Sequence, residues 1–474
     1  MFVKNQGLPF FNPPNSFRIT RQVFHMWTVR SEAGTLHAVL VQQSIEQFWA
    51  NKFPFVGVES NSLYLARCPH ADVEGGRKQW RQLPYYLEEE GVRVFEVTSI
   101  LQKVLEGATL EERRRIVEGV WEGMPVAPEP GELAVEHLLG GYPSKAYYDG
   151  EADRVVLPDF QRVGWPYPRD TSFTTQVGTV ICNMRRYSRR FEPRVVKLVY
   201  EYDPVLREKT EVIWDANEAG GPFTEPPCIE GGDTHVYDEE TIAIGVGQRS
   251  TFTGFMETAR RIFEKDRDRE IRHICAVRMP DYPASDYMHL DVVINYPDAG
   301  KALVMPYFFE SELVREMPPR RLLLKALEAL RAQSERDDRP MGPVVHPADL
   351  EGAGGCSVYA RGEGGPRLVG REVSLVDYLI KEGKLEADGI FYVGGRPERE
   401  NDVEHLMLAL MEQARGASNI VTVKPGLVIA YERNRATNEE LRSNGVRVKE
   451  WDDSYLDLLG GPHCSTSPLW REPA

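Results

Sequence analysis

Apolar residues along this 474-residue chain are spaced in two ways: short alternating or continuous runs that read as strands, and recurrences every three to four residues that read as helices. Residues up to about Ile19 carry Pro9, Pro13 and Pro14 and read as an irregular arm. Ala38 to Gln42 reads as a strand, Trp80 to Glu90 as a helix and Val92 to Val97 as a strand again. Between about Ser99 and Ala146 the spacing is helical throughout, marked by Leu101, Val104, Leu105, Leu110, Ile116, Val117, Val120, Trp121, Leu133, Val135, Leu138 and Leu139. Glu111 to Arg115 is a charged run that reads as a solvated helix face. The pattern predicts roughly fifty helical residues set into a mixed chain.

A weak internal repeat follows. Thr179 to Cys182, Thr241 to Val246 and Leu427 to Tyr431 are apolar strands running into Arg185 and Arg189, into Arg249 and into Arg433. A helical stretch comes next in each case: Pro193 to Tyr200, Phe255 to Lys265, Thr437 to Ser443. Each then returns to a strand, at Thr210 to Trp214, His273 to Val277 and Val446 to Trp451. Such a unit suggests modules around an axis whose strand ends line a central site; an ordinary α/β sheet offers similar units one at a time. Pro318 to Arg336 reads as an amphipathic core helix. The glycine-rich stretches on either side of Cys356 lack the ending of a phosphate loop and read as turns.

Composition narrows the function classes. Hydrophobic residues make up 42% and charged residues 27%, an ordinary globular balance. The net charge of −15 argues against nucleic acid or an anionic membrane as partner and suits a small cationic ligand. Cys68, Cys182, Cys228, Cys275, Cys356 and Cys464 stand far apart, with no zinc-like spacing, which is the usage of a reducing compartment. Neither a secretory signal nor a bilayer-length apolar run is visible. The expectation is a cytoplasmic protein with no metal and no cofactor, and with homo-oligomerisation left open.

The candidate chemistry centres on Gly460-Gly461-Pro462-His463-Cys464. Glycines let a backbone approach a bound group closely, and proline stiffens the turn before the thiol. A buried inert thiol is the alternative reading. Other polar clusters accompany it: Arg169-Asp170, Glu230-Gly231-Gly232-Asp233, Gln248-Arg249-Ser250-Thr251 and His289-Leu290-Asp291. Read as part of a strand with the apolar run Val292 to Ile294, His289 and Asp291 point to one side. Singly, these clusters also read as a salt bridge, a turn or part of a metal site.

Together they resemble the arginine deiminase family of guanidino-modifying enzymes. The matching stretches, in the family's order, are Tyr167-Pro168-Arg169-Asp170, Met184 to Glu192, Ile229 to Asp233, Gly247 to Thr251, Met288 to Asp291, Tyr431 to Asn434 with Thr437-Asn438, and Gly460 to Cys464. The resemblance implies a five-module α/β propeller of pentein type, with residues 1–98 and 150–474 as the catalytic domain and 99–149 as a helical insertion. It implies Cys464 as nucleophile, His289 as acid and base, and Glu230 holding the imidazole. Asp170 and Asp291 would grip the guanidinium, Tyr167 would lie beside it, and Arg189 and Arg249 would meet the substrate carboxylate. The implied reaction is deimination of free L-arginine or a close analogue to citrulline and ammonia. The alternatives are transfer of the amidino group to an amine and a catalytically silent binding protein. Two positions depart from the family: Gly164, where an asparagine is usual, and Asp457-Leu458-Leu459, where a Gly-Arg-Gly run is usual.

Overall fold

The computed structural model describes residues 26–42, 73–124, 127–142, 147–156, 167–186, 189–218, 226–281, 287–336, 347–399, 401–452 and 460–474. Gly164, Asp457 to Leu459, Cys68 and the proline-rich arm lie outside them.

Among the described residues five sheets repeat one pattern: an antiparallel pair, then a third strand parallel to the second. The first module combines Thr466–Arg471, Leu36–Val41 and Arg93–Glu96. The second has Ser172–Thr175, Gly178–Ile181 and Val212–Asp215, and the third Thr234–Val236, Thr241–Val246 and His273–Arg278. In the fourth are Ile294–Asp298, Lys301–Val304 and Ile390–Tyr392. The fifth has Val421–Lys424, Leu427–Tyr431 and Arg447–Trp451.

A parallel return needs a crossover, and each module supplies one in helix. Val73–Trp80 and Gln82–Glu89 serve the first module, Phe191–Tyr202 and Pro204–Lys209 the second, Phe252–Lys265 the third and Arg435–Ser443 the fifth. The fourth crossover is long. It contains the helices Arg320–Arg336 and Leu375–Lys381, and it lends the hairpin Cys356–Gly362 with Gly365–Glu372 to the third sheet. Side-chain caps start several helices; Thr251 accepts from the Gly254 N–H at the head of Phe252–Lys265, an effect of about 1 kcal/mol.

The modules close into a ring. Neighbouring strands meet at Thr466–Arg471 against Ser172–Thr175, at Ile294–Asp298 against Val421–Lys424 and at Leu36–Val41 against the same fifth-module strand. An isolated bridge from Asn183 to Ile229 joins the second to the third. Apolar clusters fill the wedges between modules: Leu36, Val39, Ile429 and Trp451 between first and fifth, Val180, Trp214, Ile242 and Phe255 between second and third. This is the expected five-module α/β propeller.

The predicted helical stretch is present as Val97–Gly107, Leu110–Val120 and Val135–Gly140, the second opened by a Thr109–Glu112 capping box. Their buried faces share one cluster with Leu40, Phe95, Ile181 and Phe191. The charged run Glu111 to Arg115 stays largely at the surface with local ion pairs. We treat 99–149 as an insertion between the first and second modules. One expectation is corrected: His289 and Asp291 are not strand residues, because the strand begins at Ile294 and a 3-10 turn spans Leu290–Val292.

Candidate active site

The first strand of every module is preceded by a tight turn, and the chemistry-bearing side chains sit on those turns. Asp170 ends the 3-10 turn Pro168–Asp170, two residues before its strand. Glu230 and Asp233 bracket the turn Gly231–Asp233. His289 and Asp291 belong to the turn at Leu290–Val292. Asn419 and Cys464 each stand two residues before the first strand of the fifth and first modules. The five turns thus carry seven polar groups, with Asp170, Asn419 and Cys464 at one common offset from the strand that follows. All eight residues singled out in the sequence lie here, and each is buried.

Their contacts fall into two halves. In one, His289 Nε2 lies 2.8 Å from Glu230 Oε2, and Nδ1 lies 3.7 Å from Asp170 Oδ1. Glu230 Oε1 also accepts from the Arg185 N–H at 3.0 Å, and Arg249 Nη1 approaches Oε2 at 3.4 Å. Arg189 donates to Asp170 at 2.7 Å and forks onto Glu192. In the other half, the Cys464 thiol donates to Asp291 Oδ2 at 3.2 Å, and His463 Nδ1 meets the same oxygen at 2.9 Å. The Asn419 side-chain oxygen accepts from the N–H groups of Gly461 and Cys464, at 2.8 and 3.0 Å. That bond fixes the turn carrying the thiol. The Gly460 N–H donates to the Tyr167 hydroxyl at 3.1 Å.

Glycines make these approaches possible. A Cβ on Gly232 would fall 2.6 Å from Asp170 Oδ1 and 2.9 Å from His289 Nδ1, and one on Gly460 would fall 2.6 Å from the Tyr167 ring. Gly232→Ala is therefore expected to destabilise the fold by about 1–3 kcal/mol through overpacking. Urea denaturation would measure it, and an unchanged midpoint would refute the tight fit.

Charge is balanced unevenly. Burial lowers the proton affinity of His289, but Asp170, Asp233 and the bonded Glu230 override it and lift its pKa to about 9. Burial would raise Glu230, yet Arg249 and His289 hold it well below the usual carboxylate range. Asp291 is held near 2 against its burial by His463, with help from His289 and His235. Burial lifts Asp233 to about 7, against the pull of His289 and the Ser250 hydroxyl. Burial, then Asp291 and Asp170, push the Cys464 thiol well above its ordinary value. A thiol flanked by two carboxylates keeps its proton until a cation neutralises them. Donor atoms of Asp170, Glu230 and His289 also lie within 4.8 Å of one another, a spacing that could hold a metal ion. Arg189 and Arg249 already compensate two of those carboxylates, which works against a further bare cation there.

Asn419, His463, Asp233, Glu192 and Glu32, which bond to the candidate residues or to their immediate partners, were not among the residues singled out in the sequence. For Asn419 a signal existed, its place two residues before a short apolar strand, the same offset as Asp170 and Cys464.

Known proteins give the following likenesses. The family model described as Arginine deiminase matches residues 164–322 and 404–471. An arginine deiminase of Listeria monocytogenes serotype 4a is 27% identical over 313 residues, covering 65% of this chain and 61% of that protein; the match thus spans under two thirds of the relative. An amidinotransferase of the saxitoxin biosynthetic pathway of Microseira wollei is 16% identical with a TM-score of 0.47, covering 94% of this chain and 98% of that one. The N-terminal domain of a cyanobacterial arginine dihydrolase, solved with product, is 12% identical with a TM-score of 0.46, covering 92% and 97%.

Proposed function

Taking the chain as a relative of the arginine deiminase family, a guanidino-modifying one, we propose that it is a hydrolase converting free L-arginine, or a close analogue, to citrulline and ammonia. One observation carries this reading. Two buried carboxylate oxygens at the site, Asp170 Oδ1 and Asp291 Oδ1, accept no hydrogen bond, although His289 Nδ1 stands 3.7 Å from the first as an ion pair. Leaving a buried charged acceptor unpaired is costly, and a planar cation with N–H donors on two edges suits both. No helix among the described residues is long and apolar enough to cross a membrane, and we take the enzyme to work in the cytoplasm.

The proposed mechanism follows from the charges. A guanidinium between Asp170 and Asp291, beside Tyr167, cancels the field that keeps the thiol protonated, and the thiol proton leaves to solvent. The Cys464 thiolate then adds to the guanidinium carbon. His289, protonated in the free enzyme, gives its proton to the departing nitrogen, releasing ammonia and leaving a thiouronium on sulfur. The neutral imidazole next takes a proton from water as the oxygen adds to the same carbon. Collapse breaks the carbon–sulfur bond, the remaining hydroxyl proton passes to the departing sulfur, and the ureido product leaves with the thiol restored and His289 protonated again. Glu230 holds the ring and stabilises its charged form, as the third member of a triad does. The deciding assay incubates the protein with arginine, with and without an amine acceptor, and quantifies citrulline, ornithine and ammonia. Ornithine formed only with the amine would replace hydrolysis by amidino transfer; absence of all three products would remove guanidine chemistry.

Arg189 and Arg249 are the cations proposed for the substrate carboxylate. Arg189 is held by Asp170 and Glu192. Arg249 is the freer donor: its Nε is buried without a partner and its Nη2 meets the Met288 sulfur. Arg249→Ala is expected to lower kcat/KM for arginine about ten- to a hundred-fold, and to lower it less for agmatine, which lacks the carboxylate and feels only the loss of the Arg249–Glu230 contact. If agmatine matches arginine in the wild type, both arginines serve the fold alone.

A further inference from the structure

We infer that His463, backed by Glu32 and Arg169, is a positioning residue that keeps Asp291 ionised and turned toward the substrate. The inference rests on the guanidinium reading of the site. A line of alternating charge runs inward from the reacting thiol. Asp291 Oδ2 meets His463 Nδ1 at 2.9 Å, His463 Nε2 meets Glu32 Oε2 at 3.3 Å, and Glu32 Oε1 accepts from Arg169 Nη1 at 3.2 Å. Arg169 is anchored in turn, through Nε on the Thr466 carbonyl at 2.9 Å and its backbone N–H on the Cys464 carbonyl at 3.3 Å. All four side chains are buried.

The chemistry of the ring fixes its role. A carboxylate oxygen faces each nitrogen of His463, at 2.9 Å from Asp291 and 3.3 Å from Glu32, so the ring is held from both edges. His463 then consumes one oxygen of Asp291, leaving Oδ1 as the atom available to a ligand. The sequence arranges the same division twice. In Arg169-Asp170 and in His463-Cys464 one residue turns to the reacting site and its neighbour to the buried line. The other charged or titratable groups facing this line are His289 and His235 toward Asp291, His235 toward His463, and His235 and Arg471 toward Glu32. Glu32 stays ionised despite burial, because Arg169 and His463 outweigh the cost of desolvation.

Losing the His463 contact should let Asp291 take a proton more easily, so substrate binding should fail at a higher pH on the acid side. Binding of arginine itself is the readout, by calorimetry from neutral pH down toward the value near 2 at which Asp291 takes its proton, in a Cys464→Ser background, so that no turnover intervenes. Adding His463→Gln is expected to weaken binding about ten- to a hundred-fold near the acid limb and to move that limb up by about one to two pH units. His463→Arg, a permanent cation with a donor fork, should restore both. Glu32→Gln, which keeps the shape of Glu32, gives a second route to the same limb if the glutamine at 463 fails to fold. A limb that stays put in folded His463→Gln or Glu32→Gln protein, or arginine at 463 behaving as glutamine does, overturns the relay alone. No arginine binding by the Cys464→Ser parent at any pH overturns the relay together with the guanidinium reading beneath it.

Discussion

Cys464→Ser is expected to lower turnover by about 10⁴-fold or more while leaving stability within about 1.5 kcal/mol of the parent, since the two side chains are nearly isosteric. The thiol is held between a backbone turn fixed by Asn419 and the Asp291 carboxylate, and a hydroxyl fits both contacts. What the hydroxyl lacks is acidity. Serine cannot supply an anion at a site where two carboxylates already oppose one. Ammonia release would be followed with arginine, and the wild type would be acid-quenched for mass spectrometry. An amidino adduct on the Cys464 peptide is the expected intermediate. Near-normal release by the serine variant would sink the covalent route.

Glu230→Gln is expected to lower kcat about 10²–10⁴-fold, the range general acid–base catalysis spans. Glu230 is bonded to His289 and is one of the groups that raise it to about 9. In the wild type the acid is present below about pH 9, so kcat/KM should fall as pH rises through that value. With glutamine at 230 the fall should begin at a lower pH. Stability should follow the same sign. A proton bound more tightly in the folded state contributes fully below the unfolded value near 6.5 and is lost as pH rises through about 9. Melting temperatures across that window should decline more in the wild type than in the variant. An alkaline limb at the same pH in both proteins would remove Glu230 from this role.

How much the sequence disclosed depended on where each module's strands lie. Thr179 to Cys182, Thr241 to Val246 and Leu427 to Tyr431 stood out because they are second strands buried along all or nearly all of their length, which read as unbroken apolar runs. The repeat was therefore framed from second strand to third. The first strands, preceded by polar turns, fell outside that frame, and with them the offset that would have pointed to Asn419. The first module was invisible as a unit because one of its strands, Thr466–Arg471, is distant in sequence from its partner Leu36–Val41. The fourth was masked by its long crossover, which carries a hairpin belonging to another sheet. The candidate residues were picked out through motif resemblance; the strand geometry invoked for His289 and Asp291 was wrong, although both lie beside the other candidates. His463 and Glu32 were hidden for another reason. A buried charge line is made by tertiary pairing and has no periodicity to read.

The pairing of Leu36–Val41 with Thr466–Arg471 bears on when the protein can become active. On a ribosome the segment that follows Cys464 emerges long after the segment it must zip against. Joining such distant partners carries a large loop-closure cost and slows folding. Until that zipper forms, the turn bearing Cys464 has no strand to hold it, whereas Asp170, Glu230 and His289 sit in modules built from nearer segments. Nascent chains should thus carry an assembled acid–base half and no positioned sulfur, so the chemistry starts only once synthesis has passed the ring's closing strand.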